Sequence, residues 1–201
     1  EKRYKGLALS LCLFFVMKYL IAGLGNIGQE YANTRHNIGF VVADALVEER
    51  KGAFENTRYA DMAKVRYKGK NLVVIKPTTY MNRSGKAIRY WLNKENIPLS
   101  NLLVIVDDID LPPGVLRLRK RGGPGNHNGM TDIVGILETT EFPRLRVGIG
   151  DDFARGHQVD YVLGKWSKKE EELMIPRVKQ AVEMIESFVA IGPDRTMNIY
   201  N

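Results

Sequence analysis

Short apolar runs, polar loops and helix-like stretches follow one another along most of this chain. Continuous short apolar runs predict buried strands, whereas apolar residues spaced three or four apart predict helices. The predicted strands are Tyr19–Ala22, Ala63–Tyr67, Leu72–Lys76, Leu102–Val106, Val115–Arg119 and Leu145–Ile149. The predicted helices are Val41–Arg50, Lys86–Asn93, Met130–Leu137 and a last helical region after Ser167. Strands that alternate with helices predict a single α/β domain, with a mixed, twisted β-sheet covered by helices on both faces.

Polar residues and prolines predict where some of these helices begin and end. Ser84 is predicted to cap the second helix, and Ser167 with Glu170 forms a capping-box pattern for the last one. Pro176 is expected to kink or restart that last helix, because proline lacks the backbone N–H that a helix interior uses. Gly192-Pro193 is expected to stop it.

The first sixteen residues do not fit this alternation. Basic residues precede the apolar run Leu7–Val16, as in a signal peptide, but no small-residue cleavage site follows. The run is also too short to span a membrane. Met17 then leads directly into the first predicted strand. We therefore expect residues 1–16 to be an extension outside the fold and residues 17–201 to form the domain, with Met17 as the functional start. A targeting or anchoring segment is the alternative.

The charge of the chain narrows the class of partner. The formal net charge is +7 and the isoelectric point is about 9.4, which favours a polyanionic partner such as nucleic acid. A basic surface without a partner is the alternative. The single cysteine, Cys12, excludes an intramolecular disulfide framework and a cysteine-rich metal site, and fits a reducing compartment.

The turn after the first predicted strand matches the glycine pattern of dinucleotide-binding sites. It reads Gly23-Leu24-Gly25-Asn26-Ile27-Gly28. In such sites the helix begins at the turn, so that its N-terminus faces the pyrophosphate. Here about ten polar residues come before the helical periodicity. Glu48 and Glu49, at the spacing of the ribose-binding carboxylate, lie inside a predicted helix. A nicotinamide-dependent oxidoreductase is therefore an alternative, which binding of NAD or NADP would reveal.

Polar side chains from three loops are expected to converge at the strand ends, where open α/β sheets place ligands. His36 follows the first strand and can act as a general base near neutral pH. Asp107 ends a predicted strand and would orient the imidazole and stabilise its protonated form. The alternative roles are structural, namely hydrogen bonding by His36 and capping or turn formation by Asp107.

No nucleophile accompanies this pair. Ser84 is not in a G-x-S-x-G sequence, and Cys12 lies outside the predicted fold. The histidines lack the H-x-x-x-H spacing of a common zinc motif. We therefore expect no metal and no cofactor, and activation of water by His36 is the simplest hydrolytic chemistry. Asn26, Asn82 and Asn128 offer amide donors and acceptors suited to a peptide-like substrate, although asparagine also forms turns.

Six segments of the chain, in this order and with similar spacing, resemble the bacterial peptidyl-tRNA hydrolase family. They are GLGNIGQEYANTRHNIG, KPTTYMNRSGKA, VDDIDLPPG, GNHNGMTDI, FPRLRVGIG and YVLGKW. The resemblance extends from Met17 to the C-terminus. It implies a cytoplasmic, monomeric, metal-independent enzyme that hydrolyses the ester between a peptide and the terminal ribose of tRNA. Such an enzyme recycles tRNA from stalled translation.

The resemblance also implies roles for individual residues. His36 matches the catalytic base, Asp107 its supporting carboxylate, and Asn26 the residue linked to choosing blocked over free aminoacyl-tRNA. Further matches are Tyr31, Tyr80, Asn82 and Asn128 for substrate binding, and Arg119 and Arg146 for the tRNA 5′-phosphate.

Three residues depart from the family's frequent pattern and affect the expected contact with tRNA. They are Pro124, Asn126 and Thr131. A non-catalytic RNA-binding module, which would bind tRNA and leave the ester intact, is the remaining alternative.

Overall fold

The computed structural model describes residues 17–201 of the protein. The strands are β1 Lys18–Gly23, β2 Glu55–Thr57, β3 Ala60–Tyr67, β4 Lys70–Pro77, β5 Leu102–Asp108, β6 Leu116–Arg119 and β7 Arg144–Gly148. The α-helices are α1 Ile38–Glu49, α2 Ser84–Glu95, α3 Asn128–Leu137, α4 Gln158–Val162, α5 Lys168–Ile191 and α6 Pro193–Tyr200. Short 3₁₀ turns lie at Gln29–Tyr31, Arg35–Asn37, Met81–Arg83 and Leu99–Asn101.

The strands form one mixed seven-stranded sheet in the order β2-β3-β4-β1-β5-β7-β6. β1 pairs in parallel with β4 and with β5, and β5 pairs in parallel with β7. The outer pairs β2–β3, β3–β4 and β6–β7 are antiparallel. The carboxyl ends of β4, β1, β5 and β7 therefore meet at one edge of the sheet, which is where a ligand site is expected.

Two hydrophobic layers cover the sheet. Ile21 packs with Phe188 on the face that carries α1 and α5. Leu20, its neighbour in β1, packs with Trp91 on the face that carries α2 and α3. Successive residues of a strand point to opposite faces, so a continuous apolar run can fill both layers. The structure confirms the predicted single α/β domain with helices on both faces.

The predicted helix boundaries are correct in part. Ser167 and Glu170 form the predicted capping box at the start of α5, and α5 ends at Ile191 beside Gly192. The prediction that Ser84 caps α2 is wrong, because Ser84 lies inside the helix and its Oγ donates to the carbonyl oxygen of Met81 at 2.8 Å. A restart at Pro176 is also wrong, since α5 continues through it.

Continuity of α5 follows from its packing. Buried residues lie on both sides of Pro176, from Met174 to Val189, and hold the helix against the sheet. This packing offsets the one backbone hydrogen bond that proline removes.

Two further expectations concern the beginning of the chain and membranes. Residues 1–16 lie outside the described part of the chain, so the expectation that the domain begins at Met17 stays a prediction. In the described range 17–201, no helix combines the length and the apolar character that crossing a membrane requires.

Candidate active site

A cavity of about 820 Å³ opens beside the ends of the central strands. The sequence-predicted residues that line it are Asn26, His36, Tyr80, Asn82, Asp107, Arg119, Asn128 and Arg146. Tyr31 lies in the 3₁₀ turn Gln29–Tyr31, half-buried, and does not line the cavity. The structure therefore brings most of the predicted residues together in one place.

His36 and Asp107 form a buried hydrogen-bonded pair in the lining of this cavity. His36 is 9% exposed and Asp107 is 4% exposed, and His36 Nδ1 lies 2.9 Å from Asp107 Oδ2. An ionised carboxylate accepts hydrogen bonds only, so the proton of the neutral imidazole resides on Nδ1. Nε2 then carries the lone pair. This is the tautomer that a general base needs.

His127 is a second histidine on the same carboxylate, and the sequence reasoning missed it. His127 Nε2 lies 3.0 Å from Asp107 Oδ1, and Nδ1 accepts from the backbone N–H of Met130 at 3.2 Å. The N–H of Met130 can only donate, so Nε2 of His127 carries the proton and donates to Asp107. His127 thus caps α3 and orients Asp107, while its Nδ1 is already occupied. Its place just before a predicted helix was the available signal.

The ionisation of Asp107 is set by two opposing effects. Burial alone would raise the pKa of its carboxyl. The positive charges that His127 and His36 carry when protonated, together with their hydrogen bonds, outweigh burial and hold the pKa of Asp107 well below its ordinary value. Asp107 is therefore a carboxylate at neutral pH, as stabilisation of a protonated His36 requires.

Asn26 is held by hydrogen bonds that do not use its side-chain NH₂ group. Its backbone N–H donates to Asn37 Oδ1 at 2.8 Å, and Asn37 Nδ2 donates back to the carbonyl oxygen of Asn26 at 3.0 Å. The side-chain oxygen of Asn26 accepts from the backbone N–H of Met81 at 2.8 Å. Its Nδ2 group is then the donor that can face a substrate. Sequence reasoning did not single out Asn37.

The other predicted substrate-binding residues lie at the beginnings of two helices on one face of the sheet. Tyr80 and Asn82 flank the buried Met81 in the turn that leads into α2, and Tyr80 is 53% exposed. Asn128 is the first residue of α3. Asp132 of α3 accepts from the backbone N–H of Gly85 in α2 at 2.7 Å, which ties the two helices together.

Arg144 supports the loop that precedes α3 and contains His127, and sequence reasoning missed it too. It is 3% exposed and donates to the carbonyl oxygens of Gly122 and Gly123. Burial first, and the charge of Arg146 second, lower the pKa of Arg144 to about 10. An arginine directly before a predicted buried strand was the signal for this structural role.

The two predicted phosphate contacts differ in their surroundings. Arg119 ends β6 and is exposed. Arg146 lies in β7 and forms an ion pair with Asp108 through Nε. Arg119 therefore presents its charge to the cavity more freely than Arg146 does.

Arg35, the residue before His36, anchors the catalytic loop to α5. Its guanidinium pairs with Glu170 at 2.8 Å and lies 4.4 Å from the ring centroid of Tyr161. Glu170 is the same residue that closes the capping box of α5. One carboxylate therefore fixes both the start of that helix and the turn that positions His36.

His36, Asp107 and His127 are also the group with metal-ligand chemistry in the described part of the chain. Their candidate ligand atoms lie within 4.8 Å of one another. However, the hydrogen bonds of this group place protons on the two ring nitrogens that face Asp107. An ion would have to displace both protons. The expectation of no metal stays a prediction.

The glycine pattern has packing reasons in this structure. A Cβ on Gly23 would lie 2.2 Å from the carbonyl oxygen of Gly39, and a Cβ on Gly25 would lie 2.7 Å from the ring of Phe40. Gly28 adopts φ +112°, which favours glycine. α1 begins at Ile38, well after this turn. The turn therefore lacks the helix N-terminus that a dinucleotide fingerprint places at the pyrophosphate.

Comparison with known proteins identifies the family of this chain. The family model for peptidyl-tRNA hydrolase matches residues 20–201. The peptidyl-tRNA hydrolase of Parabacteroides distasonis is 54% identical over 185 residues, which are 92% of this chain and 99% of the relative. That of Phocaeicola vulgatus is 52% identical, with the same coverage. A crystal structure of peptidyl-tRNA hydrolase from Acinetobacter baumannii superimposes with a TM-score of 0.86 at 34% identity, covering 91% of this chain and 94% of that one. This chain belongs to the peptidyl-tRNA hydrolase family.

Proposed function

We propose that the protein hydrolyses the ester between an N-blocked peptide or aminoacyl group and the terminal ribose of tRNA. The observation that carries the proposal is the buried His36–Asp107 pair, which leaves His36 Nε2 unprotonated on a residue that lines the cavity. The family supplies the substrate class. Hydrolysis of this ester returns tRNA from stalled translation to use.

The reaction needs one water molecule and one proton acceptor. His36 Nε2 takes a proton from the water molecule while the water oxygen attacks the carbonyl carbon of the ester. Asp107 stabilises the resulting imidazolium through Nδ1–H. As the tetrahedral intermediate collapses, the bond to the ribose oxygen breaks and the imidazolium returns its proton to that oxygen. The products are a peptide carboxylic acid and tRNA with a free terminal hydroxyl, and the proton of the acid goes to solvent.

The asparagines supply a basis for recognising the acyl group. A blocked substrate has an amide carbonyl where a free aminoacyl-tRNA has a cationic amine. The Nδ2 donor of Asn26 is suited to that carbonyl, because its side-chain oxygen already binds Met81. Tyr80, Asn82 and Asn128 extend this recognition around the cavity rim, and Tyr31 stays a predicted contact outside the cavity lining.

The basic residues supply a basis for recognising RNA. Arg119 and Arg146 lie on the outer strands β6 and β7, on the opposite side of β1 from Asn82. We assign them to phosphate contact, with Pro124, Asn126 and Thr131 altering its detail. The substrate arises at ribosomes, which supports a cytoplasmic location. One chain supplies the whole site, which supports a monomer.

The test is hydrolysis of N-acetylated and free forms of one aminoacyl-tRNA by the wild-type protein, with and without chelator. We expect cleavage of the acetylated form, little cleavage of the free form and no effect of the chelator. Binding of tRNA without cleavage would instead show a non-catalytic RNA-binding module. Loss of turnover in chelator would show a metal requirement and contradict the proposed mechanism.

A further inference from the structure

A cluster of cations and aromatic rings beside the cavity has no part in the reaction proposed above. Its members are Arg58, Tyr59, Lys86, Tyr90 and Lys94, and we call it the basic–aromatic strip. The guanidinium of Arg58 lies 5.0 Å from the ring centroid of Tyr59 and 5.3 Å from that of Tyr90. Lys86 Nζ lies 4.5 Å from the Tyr59 centroid. Lys94 Nζ lies 5.6 Å from the Tyr90 centroid. The five side chains therefore form one continuous surface.

The backbone holds this surface in place. The indole N–H of Trp91 donates to the carbonyl oxygen of Arg58 at 3.2 Å, and the N–H of Thr78 donates to that of Tyr59 at 2.9 Å. Tyr59 itself adopts φ +66°. Bulky residues rarely occupy this left-handed region, whereas glycine and asparagine do so readily. An aromatic ring is thus kept at a position that disfavours it, as often happens at binding sites.

The strip carries positive charge that the described residues do not neutralise. Arg58, Lys86 and Lys94 are exposed. In the range 17–201, the ion pairs within 4.0 Å involve none of these three side chains. Hydrogen bonds from Arg58 and Lys86 lower the pKa of Tyr59. Carboxylates suit such cations, and aromatic or apolar groups suit the ring faces between them.

The strip begins at the cavity and leads away from it. Asn82 lines the cavity, and the chain passes from it directly into α2. Lys86, Tyr90 and Lys94 follow at intervals of four residues, which places them on one side of the helix. A helix of this length extends about 18 Å.

The position of the strip in the sheet indicates which part of the substrate it meets. Arg58 and Tyr59 directly precede β3, and α2 packs against β4, β1 and α3. Arg119 and Arg146 lie on β6 and β7, which are on the other side of β1 from β3 and β4 in the strand order. The ester joins an RNA arm to a peptide arm, and the arginines serve the RNA arm. The peptide arm would then lie on the other side of β1, where the strip is. An extended peptide advances about 3.3 Å per residue, so α2 spans about five residues of it.

We propose that the basic–aromatic strip binds the peptide arm of the substrate, roughly two to six residues from the ester at 3.3 Å per residue, and favours acidic and aromatic side chains there. The inference rests on the proposed function and adds to it a preference among peptides. Since the cations are already placed over rings, few side chains need to be ordered on binding.

The test uses three substrates that share one tRNA and one ester-linked residue. They are an N-acetyl-aminoacyl-tRNA, a hexapeptidyl-tRNA with upstream aspartates and a hexapeptidyl-tRNA with upstream lysines. The variant is Lys86→Glu/Lys94→Glu. The control is Lys68→Glu/Lys179→Glu, which changes the net charge equally at exposed positions in the β3–β4 turn and on α5. Circular dichroism establishes that each protein is folded.

We expect kcat/KM of the strip variant to fall about 3- to 10-fold on the aspartate substrate, as loss of one or two exposed ion pairs implies. It should rise on the lysine substrate and change little on the acetylated one. An equal fall in kcat/KM on all three substrates, with a flatter dependence on salt, would overturn the proposal and indicate that the strip contacts RNA. Values of kcat/KM identical to those of the control variant would show that the strip is only a solvated surface, and would also overturn the proposal. A wild-type protein inert toward all three would overturn the proposed function itself, which the first two outcomes leave standing.

Discussion

At the scale of single residues, Asn26 is the side chain that we propose to connect the geometry of the site to substrate choice. Its side-chain oxygen is taken by the N–H of Met81, which leaves Nδ2 as a donor for the carbonyl of a blocked substrate. A free amine offers no acceptor there, and burying its charge adds a desolvation cost. A site built around one substrate hydrogen bond can reject an analogue lacking it by about 10⁴-fold or more.

Asn26→Asp is therefore a sharper variant than Asn26→Ala. The carboxylate can still accept from Met81, but the donor is lost. We expect kcat/KM to fall far more on N-acetyl-aminoacyl-tRNA than on the free form. The ratio of kcat/KM on the acetylated form to kcat/KM on the free form should therefore shrink, and it should shrink in Asn26→Ala too. A ratio unchanged from wild type in both variants would assign discrimination to Asn82 or Asn128 instead.

Asp107 makes a prediction about pH and stability. Its pKa in the folded protein is depressed below the ordinary value. A depressed carboxyl pKa stabilises the fold above the unfolded-state pKa of about 3.9, and this contribution is lost as pH falls below it. The free energy of unfolding of Asp107→Asn should therefore be lower than wild type at neutral pH, and the gap should narrow below about pH 4. Urea titrations across pH 3–7 measure this, and a gap independent of pH would contradict it.

At the scale of elements, the capping box of α5 is coupled to the catalytic loop through Glu170. Burial alone would raise the pKa of Glu170, but hydrogen bonds from Ser167 and the pairing with Arg35 lower it. Glu170→Ala should lower the unfolding free energy by about 1–2 kcal/mol, since it removes a cap and a charged hydrogen bond. It should also lower kcat, because Arg35 loses its ion-pair partner and Arg35 is the residue next to His36.

Two matched variants separate these effects. Glu170→Gln keeps an oxygen for the cap but loses the charge that pairs with Arg35, so it should retain more stability than activity. Glu171→Ala removes an exposed acidic residue from the same first turn and should change neither. Equal activity in Glu170→Ala and wild type would show that the Arg35 contact does not position His36.

The long periodic elements are the ones that the sequence predicts well. β5 follows from an uninterrupted apolar run, and α3 was predicted to within two residues of its start, whereas β2, α4 and α6 were missed. β2 is a three-residue edge strand with exposed and half-buried side chains, so no periodicity marks it. The prediction that Ser84 caps α2 failed because a 3₁₀ turn precedes the helix. The carbonyl oxygen of Met81 in that turn accepts the hydrogen bond of the Ser84 hydroxyl.

At the scale of the whole molecule, the site joins segments far apart in sequence. His36, Asp107 and Asn26 were identifiable from their places at strand ends and from the family resemblance. His127, Asn37 and Arg144 act through contacts made only after folding, across 20, 11 and 22 residues of sequence respectively. No local pattern encodes such pairings, which is why sequence reasoning left these three without roles.

The distribution of charge predicts how the enzyme responds to salt. Arg119→Ala should raise KM for tRNA substrates. It should also reduce the slope of log affinity against log salt by about 1, the change expected for loss of one phosphate contact. Arg146→Ala should do the same less cleanly, since it also releases Asp108. A minimal ester lacking the tRNA body should be affected little, and Lys179→Ala on α5 serves as the charge-matched control. Equal losses on both substrates would assign these arginines to folding or chemistry.

The central claim is that His36 activates water within a pair that Asp107 holds. The direct measurement is single-turnover hydrolysis of N-acetyl-aminoacyl-tRNA by His36→Ala under saturating enzyme, beside a thermal unfolding curve. The rate should fall about 10²- to 10⁴-fold, the usual contribution of a general base. The protein should still unfold cooperatively, at a melting temperature lowered by the loss of one hydrogen bond to Asp107. A His36→Ala protein that is folded and cleaves the ester at the wild-type rate would contradict the mechanism.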